Sequence, residues 1–149
     1  MYIYCDSNQK IGKHLNKERY FIQQGYTIIR QRLKVGDYML DLNGKVSVDT
    51  KQDIAEICTN LFNKEDNKRF IRECVRAKKN KIKLLFLIEQ KIDSVTGIVL
   101  GNSKRKIIVN RQQIFDKIKY FEKMYGVRFI FCQKDCAGAK IIELLTQFE

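Results

Sequence analysis

The sequence predicts one α/β domain, a mixed central β-sheet flanked by helices, and three observations carry the prediction. Apolar runs of strand length alternate along the chain with segments whose apolar residues recur at helical spacing, the pattern of a sheet covered by helices. The 149 residues suffice for one ordinary domain with its own core. No proline, only 8 glycines, no Ser/Gly-rich linker and no internal repeat interrupt them, so residues 1–149 form a single unit.

In chain order, residues 2–5 read as a short strand. Residues 9–24 read as a helix, with Ile11, Leu15, Phe21 and Ile22 near helical spacing and Gly25 as its stop. Residues 26–33 and 35–41 are strand-like, Asn43-Gly44 signals a turn, and residues 45–51 alternate Val46 and Val48 with Ser47 and Asp49. Together these predict a β meander. Asp53-x-x-Glu56 has the form of a capping box, so both acids are read as helix caps. The helix it opens runs to about residue 79 with a break near 63–66. Residues 83–89 form an apolar strand, and 98–109 are a Gly- and Lys-bearing stretch of no assigned structure. Residues 111–125 form a helix with Ile114, Ile118 and Phe121 on one face, stopped by Gly126. A strand over 127–132 and a helix over 138–148 close the fold.

Composition narrows the function. A mean hydropathy of −0.37 and a longest apolar run of five residues, 84–88, fall far short of the roughly 20 that a membrane helix needs. The N-terminus lacks the zones of a secretory signal, which predicts an intracellular protein, cytoplasmic in a bacterial or phage setting. Five cysteines without a Cys-x-x-Cys pair, and a single histidine, read as buried thiols rather than a disulfide scaffold or zinc site. His14 is placed on a solvated helix face. The net charge of +12 points to a polyanion, nucleic acid first.

Three carboxylates stand two residues before a lysine: Asp49 before Lys51, Asp66 before Lys68 and Glu89 before Lys91. In a strand, residues i and i+2 share a face, so Asp49 and Lys51 project together while Val46, Val48 and Thr50 face the other way. In a helix the same spacing diverges, which demotes Asp66, and Glu89 ends its strand before Lys91. A second carboxylate comes from Asp37 if the hairpin loop has three residues, 42–44, because 41 then pairs with 45 and 37 with 49. The two Cβ atoms would lie about 4.5–5.5 Å apart. Asp41 at the first turn position and Gly44 at a left-handed fourth position favour that loop over a two-residue one.

Gly36-Asp37-Tyr38, Val48-Asp49-Thr50-Lys51 and Leu87-Ile88-Glu89 together resemble the XPF/Hef-type nuclease domain of the PD-(D/E)xK, restriction-endonuclease-like superfamily. The match covers about residues 2–90. Cys5-Asp6-Ser7-Asn8-Gln9 occupies the family's first motif, with Asn8 and Gln9 where the family has Arg and Glu; Thr50 stands where it has Arg, and Ala55 where it has a later Asp. The resemblance implies a DNA endonuclease that hydrolyses phosphodiesters with Mg²⁺ or Mn²⁺. Asp37, Asp49 and the Thr50 carbonyl are its implied metal ligands, Lys51 its catalytic amine, and Asp6 and Glu89 further acids. Oxygen donors of this kind suit those hard cations independently of the resemblance. The short format is similar to the stand-alone nucleases of phages and mobile elements, with branched or junction DNA in recombination, repair or replication as the implied setting. Two alternatives stay open: a catalytically silent DNA-binding protein, and a sequence-specific restriction-type endonuclease.

Residues 64–83 hold nine Lys or Arg against three Asp or Glu. Lys68, Arg72, Arg76 and Lys79 recur at helical intervals with Arg69 beside them, a stripe suited to DNA phosphates. Lys104, Arg105 and Lys106 are a second basic cluster, read as a loop reaching along DNA. Nucleases of this kind commonly act as dimers, and a homodimer is expected through the C-terminal third. There Asp135, Glu143 and Glu149 outnumber Lys140, and Ile141, Ile142, Leu144, Leu145 and Phe148 exceed the needs of one buried face.

Overall fold

A computed structural model describes residues 1–101 and 104–148. In chain order it comprises β1 (Tyr2–Cys5), α1 (Leu15–Gln23), β2 (Thr27–Arg30), β3 (Tyr38–Met39), β4 (Val46–Lys51), α2 (Ile54–Phe62) and α3 (Lys64–Lys79). There follow β5 (Lys83–Ile88), β6 (Ile98–Gly101), β7 (Lys106–Val109), α4 (Arg111–Tyr125), β8 (Arg128–Phe131) and α5 (Ala137–Gln147). Six strands form one mixed sheet in the order β2-β1-β3-β4-β5-β8, and β6 and β7 form a separate hairpin.

β5 is buried on both faces from Leu84 to Ile88 because helices cover both sides of the sheet centre, which is why it reads as an unbroken apolar run. Leu84, Phe86 and Ile88 pack with α2, α3 and α4, while Leu85 and Leu87 pack with α1 and α5. The helices begin where local chemistry predicts. Asp53 caps α2 through the Glu56 N–H, and Asn63 separates α2 from α3 by accepting from the Glu65 and Asp66 N–H groups. α4 opens on an Asn110–Gln113 capping box and ends on left-handed Gly126. All five thiols are free, and Cys5, Cys58 and Cys74 are buried. No described helix is long and apolar enough to cross a membrane.

At four places outside the β3–β4 turn the structure corrects or completes the sequence reading. The meander does not form: β1 lies between β2 and β3, parallel to the first and antiparallel to the second. The helix between β1 and β2 is the cause, since a helical crossover returns the chain parallel to the strand it left. The first helix starts at Leu15, not residue 9; Gly12 at φ 92 interrupts the run, and Ile11 is 86% exposed. The segment over 98–109 is a hairpin, turned by Gly101 at φ +97, where a Cβ would meet the Arg105 carbonyl oxygen; residues 102 and 103 lie outside the description.

The fourth concerns α5. Ile141, Leu144 and Leu145 are buried, and Ile142 and Phe148 pack against the same core. The outward residues Ala139, Glu143, Thr146 and Gln147 leave no apolar strip for a partner, and Glu149 lies outside the described residues.

β3 and β4 pair with Tyr38 opposite Val48, the register that the three-residue loop predicts. The Gly44 N–H donates to the Asp41 carbonyl at 2.9 Å. Gly44 is not left-handed as expected. It is required by crowding, since a Cβ would stand 2.8 Å from the Asp41 carbonyl oxygen. Gly36 has both constraints, φ +74 and a Cβ position 2.1 Å from Ser47 Oγ, and that hydroxyl is tied to the Val35 carbonyl at 2.8 Å. Gly36→Ala is expected to lower unfolding stability by about 1–3 kcal/mol, read by urea denaturation; Gly12→Ala, with open space around it, serves as the control for backbone strain alone.

Candidate active site

The last three residues of β4 carry the chemistry because the sheet presents them beside the end of β3. Asp49 is only 8% exposed, and its Oδ2 lies 3.0 Å from Lys51 Nζ. Lys51 is the one side chain paired with this buried oxygen among the described residues. The Lys51 amine also stands 6.0 and 5.9 Å from the Phe70 and Phe86 ring centroids. Asp49 and Lys51 therefore share the sheet face covered by α3, as period-2 alternation requires.

Asp37 reaches the same place from the neighbouring strand. Its Oδ2 accepts from the Thr50 N–H at 2.9 Å and the Thr50 hydroxyl at 2.8 Å. Its backbone N–H donates to the Val48 carbonyl, and its carbonyl accepts from the Asp6 N–H, both at 2.8 Å. Asp6 Oδ1 in turn accepts from the Leu33 N–H, which secures the loop after β1. Asp6, Asp37, Asp49, Thr50 and Lys51 line one cavity of about 420 Å³.

Burial pushes the Asp49 carboxyl well above the usual carboxylate range; the neighbouring Asp37 charge adds to this, and Lys51 opposes it. Burial would lower the Lys51 ammonium, but Asp49, with Glu73 and Glu56, holds it above its ordinary value. Two carboxylates lining one cavity, one of them desolvated, favour a cation between them. The donors are all oxygen, which fits Mg²⁺ or Mn²⁺ held by two carboxylates, the Thr50 carbonyl and waters. Among the described residues no group of three or more His, Cys, Asp or Glu is placed to hold a metal ion, so such a site would be carboxylate-poor.

Glu89 is not brought into this cavity. Both its oxygens accept from Lys17 Nζ, at 2.8 and 2.9 Å, and it lines the adjoining pockets instead. Asp53 and Glu56 act as caps as expected, though Glu56 also reaches the cavity wall.

Glu73 was absent from the sequence candidates. It accepts from the Gly36 N–H at 3.2 Å and lines a second, polar cavity with Asp6, Asp37 and Asp49. An acidic residue three positions after buried Phe70, in the basic stretch of α3 beyond its first turn, is its signal. His14 was misplaced with the helix start: it lines the site, its Nδ1 is buried without a partner, and burial, with Lys17, lowers its pKa.

The basic stripe lies on the solvent face of α3, with Lys68, Arg69, Arg72, Arg76 and Lys79 all exposed. Lys68 and Arg69 are paired with Glu65 and Asp66, which reduces their charge toward a ligand. Arg76 joins the polar cavity containing Asp49, so the stripe runs into the site. Lys104, Arg105 and Lys106 are exposed on the β6–β7 hairpin.

The ERCC4 domain matches residues 6–145 of the chain. Among solved structures the chain is similar to XPF from Aeropyrum pernix, with 14% identity and a TM-score of 0.68 over 99% of this chain and 64% of that one. It is equally similar to XPF from Aeropyrum pernix in complex with DNA, with 14% identity and a TM-score of 0.68 over 98% of this chain and 64% of that one. The chain thus spans under two thirds of those proteins, and the likeness is one of fold. No curated protein matches the sequence.

Proposed function

Because this chain belongs to the ERCC4 domain family and has the XPF-type nuclease fold, we propose that it is a divalent-metal-dependent DNA endonuclease acting on branched or junction DNA. The observation that carries the proposal is the meeting of Asp37, Asp49 and Lys51 in one cavity, with a buried Asp49 oxygen paired to Lys51. Asp37, Asp49 and the Thr50 carbonyl would hold Mg²⁺ or Mn²⁺. When bound, the cation supplies positive charge against the scissile phosphate and lowers the pKa of water.

Asp49 and Asp37 would keep the cation in place, and Thr50 fixes the Asp37 carboxylate through two hydrogen bonds. Lys51, held protonated by its carboxylate neighbours, orients the attacking water or offsets charge that develops on the phosphate. The cavity's acids face the phosphodiester with like charge, which a bound cation would offset.

Arg72 and Arg76 supply phosphate contacts. Arg72→Ala with Arg76→Ala is expected to weaken binding to all DNA sequences alike and to reduce the log–log salt slope by roughly one to two units, about 0.9 per contact. An unchanged slope would make the stripe a solubilising face.

Cleavage of plasmid, flap and four-way junction DNA in Mg²⁺, Mn²⁺ and chelator tests the proposal. Metal-dependent nicking of branched substrates is expected. Binding without cleavage in any metal would establish the silent DNA-binding alternative, which the commitment of Asp37 Oδ2 to Thr50 favours; cutting confined to one linear sequence would establish the restriction-type alternative. A homodimer through α5 forms no part of the proposal, since that helix is buried in its own core.

A further inference from the structure

We propose that the pocket beside Glu89, framed by Lys13, Lys17 and Lys134, is a phosphate subsite that holds a backbone phosphate of the strand entering the acidic cavity; this rests on the nuclease function proposed above. The pocket has a volume of about 290 Å³ and brings Lys134, just after β8, to the loop and first turn of α1. Its one carboxylate, Glu89, is already satisfied by both hydrogen bonds from Lys17. Lys13 and Lys134 are exposed and have no carboxylate partner among the described residues, so their charge is available to an external anion.

Two further features suit an anion. His14, which lines both this pocket and the acidic cavity, has a buried Nδ1 with no hydrogen-bond partner, and a phosphate oxygen would supply one. α1 begins at His14 without a side-chain cap, which leaves the positive end of a nine-residue helix facing the lysines.

Position relative to the acidic centre gives the pocket its role. The Glu89 N–H donates to the Lys51 carbonyl at 2.9 Å, so the Glu89 backbone at the pocket's edge lies one strand spacing, about 4.8 Å, from the end of β4. Lys13 and His14 line both this pocket and the cavity of Asp37 and Asp49. A strand with one phosphate at Asp49 can place a neighbouring phosphate among the three lysines.

The test is Lys13→Ala with Lys134→Ala, read by fluorescence anisotropy in chelator on a labelled duplex bearing a single-stranded arm. Lys17 is left intact because its loss would strand Glu89. The pair is expected to lower the log–log salt slope by about 0.9, one phosphate, rather than the two units of independent charges. A single uncharged methylphosphonate moved along the strand should reveal one position that weakens wild-type binding several-fold and leaves the double variant unaffected. A variant as sensitive as wild type at every position overturns the subsite. Sensitivity only to removal of a terminal 5′-phosphate overturns its assignment to an internal phosphate. Cleavage in Mg²⁺ is scored separately: a wild type that shows the binding pattern and cuts nothing overturns the nuclease function while the DNA contact stands.

Discussion

Asp49→Asn and Asp37→Asn are each expected to reduce DNA cleavage by at least roughly 10²-fold, with DNA binding in chelator unchanged or tighter. Both carboxylates line one cavity, and Asp49 is largely buried there. Either substitution removes an anionic oxygen donor and one negative charge that faces the phosphate. The expected split is therefore lost turnover without lost affinity, measured by single-turnover cleavage beside anisotropy. Cleavage at the wild-type rate by either variant would move the site elsewhere. Glu73→Gln should have a smaller effect, since that side chain acts through the Gly36 N–H and through its field on Asp49 and Lys51.

Glu89→Gln is expected to act mainly on stability. Its ion pair with Lys17 is largely shielded from solvent, with side chains 10% and 6% exposed, and breaking one partner of a buried pair costs about 3–5 kcal/mol. For a domain of 149 residues each kcal/mol lowers Tm by about 2–4 °C, so the fall should be about 6–20 °C. The uncompensated Lys17 ammonium is the cause. Lys17→Met combined with Glu89→Leu should therefore recover most of the loss, because two apolar side chains remove both desolvation costs. Thermal unfolding of the single and paired variants checks this. A Glu89→Gln protein with unchanged Tm and no cleavage would instead make Glu89 a site acid.

The elements whose causes are local were legible in the sequence. Asp53 and Gly126 fix helix ends by capping geometry within a few residues, and the α4 limits follow from Arg111 to Tyr125 without reference to the rest of the chain. The Asp37–Asp49 register was legible for the same reason. A short loop and period-2 alternation determine which residues oppose each other across a hairpin, so two carboxylates twelve positions apart could be brought together on paper. The basic stripe on α3 followed from 3.6-residue periodicity alone.

What the sequence could not determine is contact between segments that no turn connects. Lys17 and Glu89 are 72 positions apart, and only the placing of α1 near the end of β5 pairs them, outside the cavity of Asp37 and Asp49. The place of β1 between β2 and β3 depends on which strand edges remain free after the α1 crossover, a choice made by the whole sheet. α5 looked too apolar for one face, but the sheet and α1 together cover it, so surplus hydrophobicity was core. Glu73 and His14 reach the site for the same reason: local periodicity tells which face a residue occupies, and only packing in three dimensions decides what that face meets.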